Sequence, residues 1–134
     1  MKTNSPAFKY ICIFLCLILV FVSYSINRKR NQIKELKNLS LQNIEISNIA
    51  DGTYTGYANT SFLKVKLELI VQNGTLQDVK ILMNEGSVGQ NVASITETMV
   101  KENKIIVSPI PDEEIASVVF MAAASNALSS QNQK

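Results

Sequence analysis

The chain has no histidine, and its two cysteines, Cys12 and Cys16, both sit in an apolar run near the N-terminus. The polar remainder therefore lacks the side chains for disulfides, thiolate catalysis, imidazole bases and the usual zinc sites. Its carboxylates do not cluster in a cleft-like pattern, so an autonomous catalytic constellation is missing. Residues 31–134 carry 8 basic and 11 acidic side chains, a net charge of −3. With no basic patch interleaved with aromatics, nucleic-acid binding has no electrostatic footing. There is no internal repeat, and 134 residues leave room for one small domain.

What is present is strongly uneven. Ile11 to Val22 are twelve consecutive apolar residues, and Phe8 to Ile26 holds a single charge, Lys9. Nineteen helical residues would extend about 28 Å, close to the hydrocarbon thickness of a bilayer. Tyr10 and Tyr24 lie near the ends, where amphipathic rings prefer the interface. The spacing predicts a transmembrane helix, with residues 1–30 as a membrane anchor. Ser23-Tyr24-Ser25 is a poor match to a signal-peptide cleavage site, and Arg28-Lys29-Arg30 follow at once, so an uncleaved anchor is expected. Cys12 and Cys16 share one helix face. Leu15 before Cys16 excludes a lipoprotein box, and two lipid-facing apolar residues explain the pair more simply than palmitoylation.

Asn27 to Ile49 is polar with scattered Ile and Leu at irregular spacing. Residues 31–49 are expected to form a helical neck, a solvated connector, with the folded domain starting near Ala50. Thr53 to Asn59 reads as a strand by its Thr and Tyr content. Lys64 to Gln72 alternates, with Val65, Leu67, Leu69 and Val71 on one face. Leu76 to Met83 returns with Val79, Ile81 and Met83 inward. A two-residue turn at Asn73-Gly74 in a regular hairpin would oppose Leu69 to Asp78. A three-residue turn, Asn73-Gly74-Thr75, instead pairs Leu69 with Val79, Leu67 with Ile81 and Glu68 with Lys80, and the hydrophobic pattern selects it. A loop over Asn84 to Gln90, an amphipathic helix over Val88 to Glu102 and an alanine-rich helix from Pro111 to about Leu128 complete the pattern. Residues 129–134 are expected to fray. The fold class is α+β: an N-terminal transmembrane helix, then a small antiparallel sheet with helices packed on it.

Asp51 to Gly56 read Asp-Gly-Thr-Tyr-Thr-Gly, with the hairpin directly behind. This order, with Ala124-Ser125-Asn126-Ala127-Leu128 at its end, resembles the FMN-binding domain of the flavin subunits of sodium-pumping quinone reductases and Rnf-type complexes, over residues 50–128. The resemblance implies noncovalent FMN, electron transfer at the membrane surface and partners in a membrane redox complex. It assigns cofactor contacts to Thr53, Tyr54, Thr55, Glu85, Ser87, Gly89 and Ser117. It also implies a single-pass cell-membrane protein with an extracytoplasmic domain, the placement adopted here, although the basic residues after Ile26 favour a cytoplasmic one.

The family's Ser-Gly-Ala-Thr flavinylation motif is absent: residues 112–118 read Asp-Glu-Glu-Ile-Ala-Ser-Val, which puts Val118 at the threonine position counting forward from Asp112, or leaves the segment missing, a gap of about four residues, counting back from Leu128. Covalent flavin is therefore not expected. Three carboxylates also stand where an anion would be received. The alternative expectation is a cofactor-free degenerate domain acting as a binding or assembly module in a membrane complex.

Overall fold

The structure, a computed structural model, describes residues 5–130. The chain divides into two units, Met1–Ile33 and Lys34–Lys134. The first is carried by helix α1 (Pro6–Lys37). Pro6 suits the first turn, where its missing N–H costs nothing. From Phe8 to Ile26 the apolar side chains are largely exposed, and the helix is long and apolar enough to cross a membrane.

The second unit has a three-stranded antiparallel sheet ordered β1 (Gly52–Asn59), β2 (Leu63–Gln72), β3 (Thr75–Gly86). Two helices pack on it: α2 (Ser94–Glu102) on β3, and α3 (Glu114–Ser129) on β1 and β2. Val65, Leu67, Leu69 and Val71 are at most 1% exposed and form the sheet's side of the core. Alanines at 116, 122, 123, 124 and 127 keep α3 thin, and all are buried. The opposite sheet face is polar and open, with Tyr57 44% and Leu82 50% exposed.

The hairpin pairs Leu69 with Val79, Leu67 with Ile81 and Glu68 with Lys80, as the hydrophobic pattern requires. The turn itself has two residues, because Gln72 pairs with Thr75. Asn73 and Gly74 both have positive φ, 53° and 69°, as a type I′ turn demands. The register is restored by a bulge that leaves Gln77 unpaired between Leu76 and Asp78. A second bulge at Leu82 corrects the expectation for Met83: it lies opposite Lys66, while Asn84 takes the core-side position opposite Val65.

Other boundaries are corrected too. The neck is α-helical only to Lys37, and a single 3-10 turn at Ile46–Asn48 is the other helical piece within it. Ile46 and Ile49 are buried in the core, with Leu36, Leu39 and Ile44 packed against it, because burying five large apolar side chains outweighs solvating a connector. Residues 84–86, expected in a loop, extend β3. The helix expected from Val88 begins at Ser94, after Gly89 with its φ of +82°. The helix expected from Pro111 begins at Glu114, because Asp112 is left-handed at φ 66°. Ser129 closes α3 and the Ser130 hydroxyl donates to the Ala127 carbonyl; 131–134 lie outside the described residues.

Candidate functional site

The groove that gathers most of the chemistry lies where the β1–β2 connection meets the end of β3. It encloses about 280 Å³ and is lined by Thr60, Ser61, Phe62, Leu63, Lys64, Glu85, Gly86 and Ser87. Thr60 builds the turn: its hydroxyl donates to the Leu63 carbonyl and accepts from the Leu63 N–H, both at 2.9 Å. Gly86 lets β3 close on this turn, since a Cβ there would stand 2.3 Å from the Phe62 carbonyl oxygen. The Ser87 N–H then donates to that same oxygen at 3.0 Å.

Ser61 presents its N–H (2.7 Å) and its hydroxyl to the carboxylate of Glu35. Glu35 lies nine residues beyond Ile26, outside the apolar stretch. The Ser61 hydroxyl, then its amide, hold the Glu35 carboxyl below its ordinary range. Lys64 and Glu85 are cross-strand partners at the rim.

Of the seven predicted contacts, Glu85 and Ser87 line this groove. Gly89 lies behind it: a Cβ added there would meet Ala116 at 3.1 Å and Leu63 at 3.4 Å. Its N–H donates to the Glu113 carboxylate at 3.1 Å. Ser117 is wholly buried and its hydroxyl accepts the Ile110 N–H at 3.0 Å. Tyr54 is a core residue whose hydroxyl donates to the Ala50 carbonyl at 2.6 Å. Thr53 and Thr55 lie on the open sheet face, six and four residues from the Asn59 end of β1, or about 20 and 13 Å. Glu85 and Ser87 share the groove, Gly89 backs it, and Thr53, Tyr54, Thr55 and Ser117 do not line it.

Of the groups the resemblance assigns to the cofactor, two are engaged by the chain itself. The amide at Gly89 is taken by the chain's own carboxylate, and the Ser117 hydroxyl is turned to the backbone inside the core. Glu113 and Glu114 lead into α3, where a phosphate would meet like charge. Among the described residues no group of His, Cys, Asp or Glu is placed to hold a metal ion.

Thr60, Ser61, Phe62 and Lys64 also line the groove and are not among the cofactor contacts singled out in the sequence. The polar run Asn59-Thr60-Ser61 between two strand patterns was the available signal, since such runs mark turns. A second depression, about 290 Å³, lies between α2 and β3 and is lined by Asp78, Val79, Thr96, Glu97, Val100 and Lys101. None of the predicted residues reaches it.

Comparisons with protein-family models, curated proteins and solved structures find no match to this chain.

Proposed function

We propose that this chain is a single-pass membrane protein whose folded unit works without a cofactor, as a binding or assembly module at the membrane surface. The observation that carries this reading is the bond from the Gly89 amide to the Glu113 carboxylate: a residue the resemblance assigns to the cofactor already has its N–H engaged by the chain's own anion. The anchor is supported by the length and apolar surface of α1. The helix-free sheet face, with Thr55, Tyr57, Lys66 and Leu82 exposed, supplies an accessible surface. For the side of the membrane, the family resemblance supports an extracytoplasmic unit, which protease protection in sealed vesicles checks.

Noncovalent FMN is the second reading, favoured by Glu85 and Ser87 sharing one groove, although that groove is at the small end of ligand clefts. The full chain in nanodiscs separates the two. Colourless protein that takes up no added FMN supports the module; flavin absorbance or saturable FMN uptake overturns it. Tyr57→Asp and Leu82→Asp should leave the thermal transition in place while releasing the chain from larger membrane assemblies on native electrophoresis.

A further inference from the structure

The first unit, Met1–Ile33, contains no aspartate or glutamate, while Lys2, Lys9, Arg28, Lys29 and Arg30 all lie within it. Arg28, Lys29 and Arg30 are exposed along α1. Among the described residues the one ion pair is Lys80–Glu68, so none of the three has an acidic partner there. From this geometry we infer that the triplet is a binding site for anionic phospholipid headgroups in the leaflet at the C-terminal end of the span.

The site presupposes the membrane anchor proposed above, and depth, angle and charge then define it. If Phe8 to Ile26 fills the hydrocarbon layer, Arg28 and Arg30 stand about 3 and 6 Å beyond it at the helical rise. The headgroup layer on each side is about 5–8 Å deep. All three cations therefore fall inside it. At 100° per residue they fan over about 200° of the helix circumference, so a cation faces lipid whichever way the helix leans. Their aliphatic stems keep the charged ends at the headgroup level. Toward the other end of the span the sequence carries Lys2 and Lys9, seven positions apart, so the three consecutive cations are the denser basic group. With no carboxylate in the unit, the counter-charge comes from outside, and at this depth the phosphate of an anionic lipid is the available partner. Each cation near an anionic surface strengthens the association about five-fold.

The test uses the full chain in phosphatidylcholine bilayers with trace spin-labelled phosphatidylglycerol or phosphatidylcholine, reading the motionally restricted fraction of each. The anionic probe should be preferred at least about three-fold at low salt. The preference should approach parity at ~1 M NaCl, where the screening length is about 3 Å. The triple change R28Q/K29Q/R30Q should abolish it, and R28K/R30K should keep it. Inorganic phosphate at matched ionic strength should leave it intact. Equal association of the two probes, a preference that survives the triple change, or one that free phosphate removes would each overturn the inference. Flotation with pure phosphatidylcholine vesicles after a carbonate wash tests the anchor separately. Chain that floats without lipid preference sinks this inference alone, and chain that washes off sinks the anchor reading with it.

Discussion

Gly56 of β1 and Ala123 of α3 approach so closely that a Cβ on Gly56 would stand 1.9 Å from the Ala123 carbonyl oxygen. Ala127 crowds the same spot, with its N at 2.5 Å and its Cβ at 2.7 Å. The hexapeptide that opens the domain thus has a structural account. Asp51 accepts the Asn73 N–H at 2.7 Å, tying down the hairpin turn. Tyr54 enters the core, and Gly56 makes room for the alanine-rich helix.

Gly56→Ala should therefore cost about 3 kcal/mol, at the upper end for overpacking a rigid site, since backbone and not a side-chain tip must move. Gly52→Ala is the control. Its Cβ would meet only the Tyr54 ring at ordinary contact distances, 3.4 Å and beyond, so stability should change by less than ~0.5 kcal/mol. Thermal or urea unfolding of both variants measures the contrast, and equal losses would refute the packing account.

Asn103 links α2 to the hairpin. It ends α2 in the left-handed conformation, and its side-chain oxygen accepts the Leu76 N–H at 2.7 Å. Its amide nitrogen reaches the Gly74 carbonyl at 3.4 Å. Asn103→Ala loses both the bonds and an easy left-handed residue, for an expected loss of about 2 kcal/mol. Asn103→Gly should recover part of it by relieving the backbone, leaving the cost of the Leu76 amide. If the two variants unfold alike, the side-chain bonds alone carry the effect.

Ser117→Ala tests whether that hydroxyl holds structure or ligand. Removing it orphans the Ile110 N–H and should lower stability by about 1–2 kcal/mol with no FMN added. A variant as stable as the parent would remove the structural explanation of Ser117.

The Glu35–Ser61 contact makes stability depend on pH. Bonds to the ionised form hold the Glu35 carboxyl below its ordinary value of 4.5. A folded-state value below the unfolded one means that the stabilisation is fully present above about 4.5. It is lost as pH falls through the lower folded-state value. Ser61→Ala removes the larger of the two bonds, so its melting temperature should fall short of the parent's most at neutral pH. The two curves should converge in acid. A gap that stays constant with pH would count against this coupling.

The strands were legible because alternation in Lys64 to Gln72 and in Asp78 to Ile81 is a local signal that burial enforces. The turn length is not legible from the side-chain pattern. A two-residue turn plus one bulged residue shifts the register by the same amount as a three-residue turn, and side-chain patterns report only the total. The helix starts were missed because Gly89 and Asp112 take positive φ, which nothing in the composition announces. Glu85 and Ser87 could be placed together because they are neighbours in sequence. Ser117 and Gly89 could not be excluded from a site, since their partners, Ile110 and Glu113, are fixed only by the fold.

The seating of α3 on β1 also orders events in time. Gly56 waits for a partner 67 positions later in the chain, and until α3 is made the inner face of β1 and β2 has no cover. Local hairpin formation comes early, and closure of the core comes late and depends on a long-range contact. During synthesis the unit therefore stays open, with an apolar sheet face exposed, until the ribosome has delivered α3. A chain interrupted before Glu114 would hold strands but no completed core.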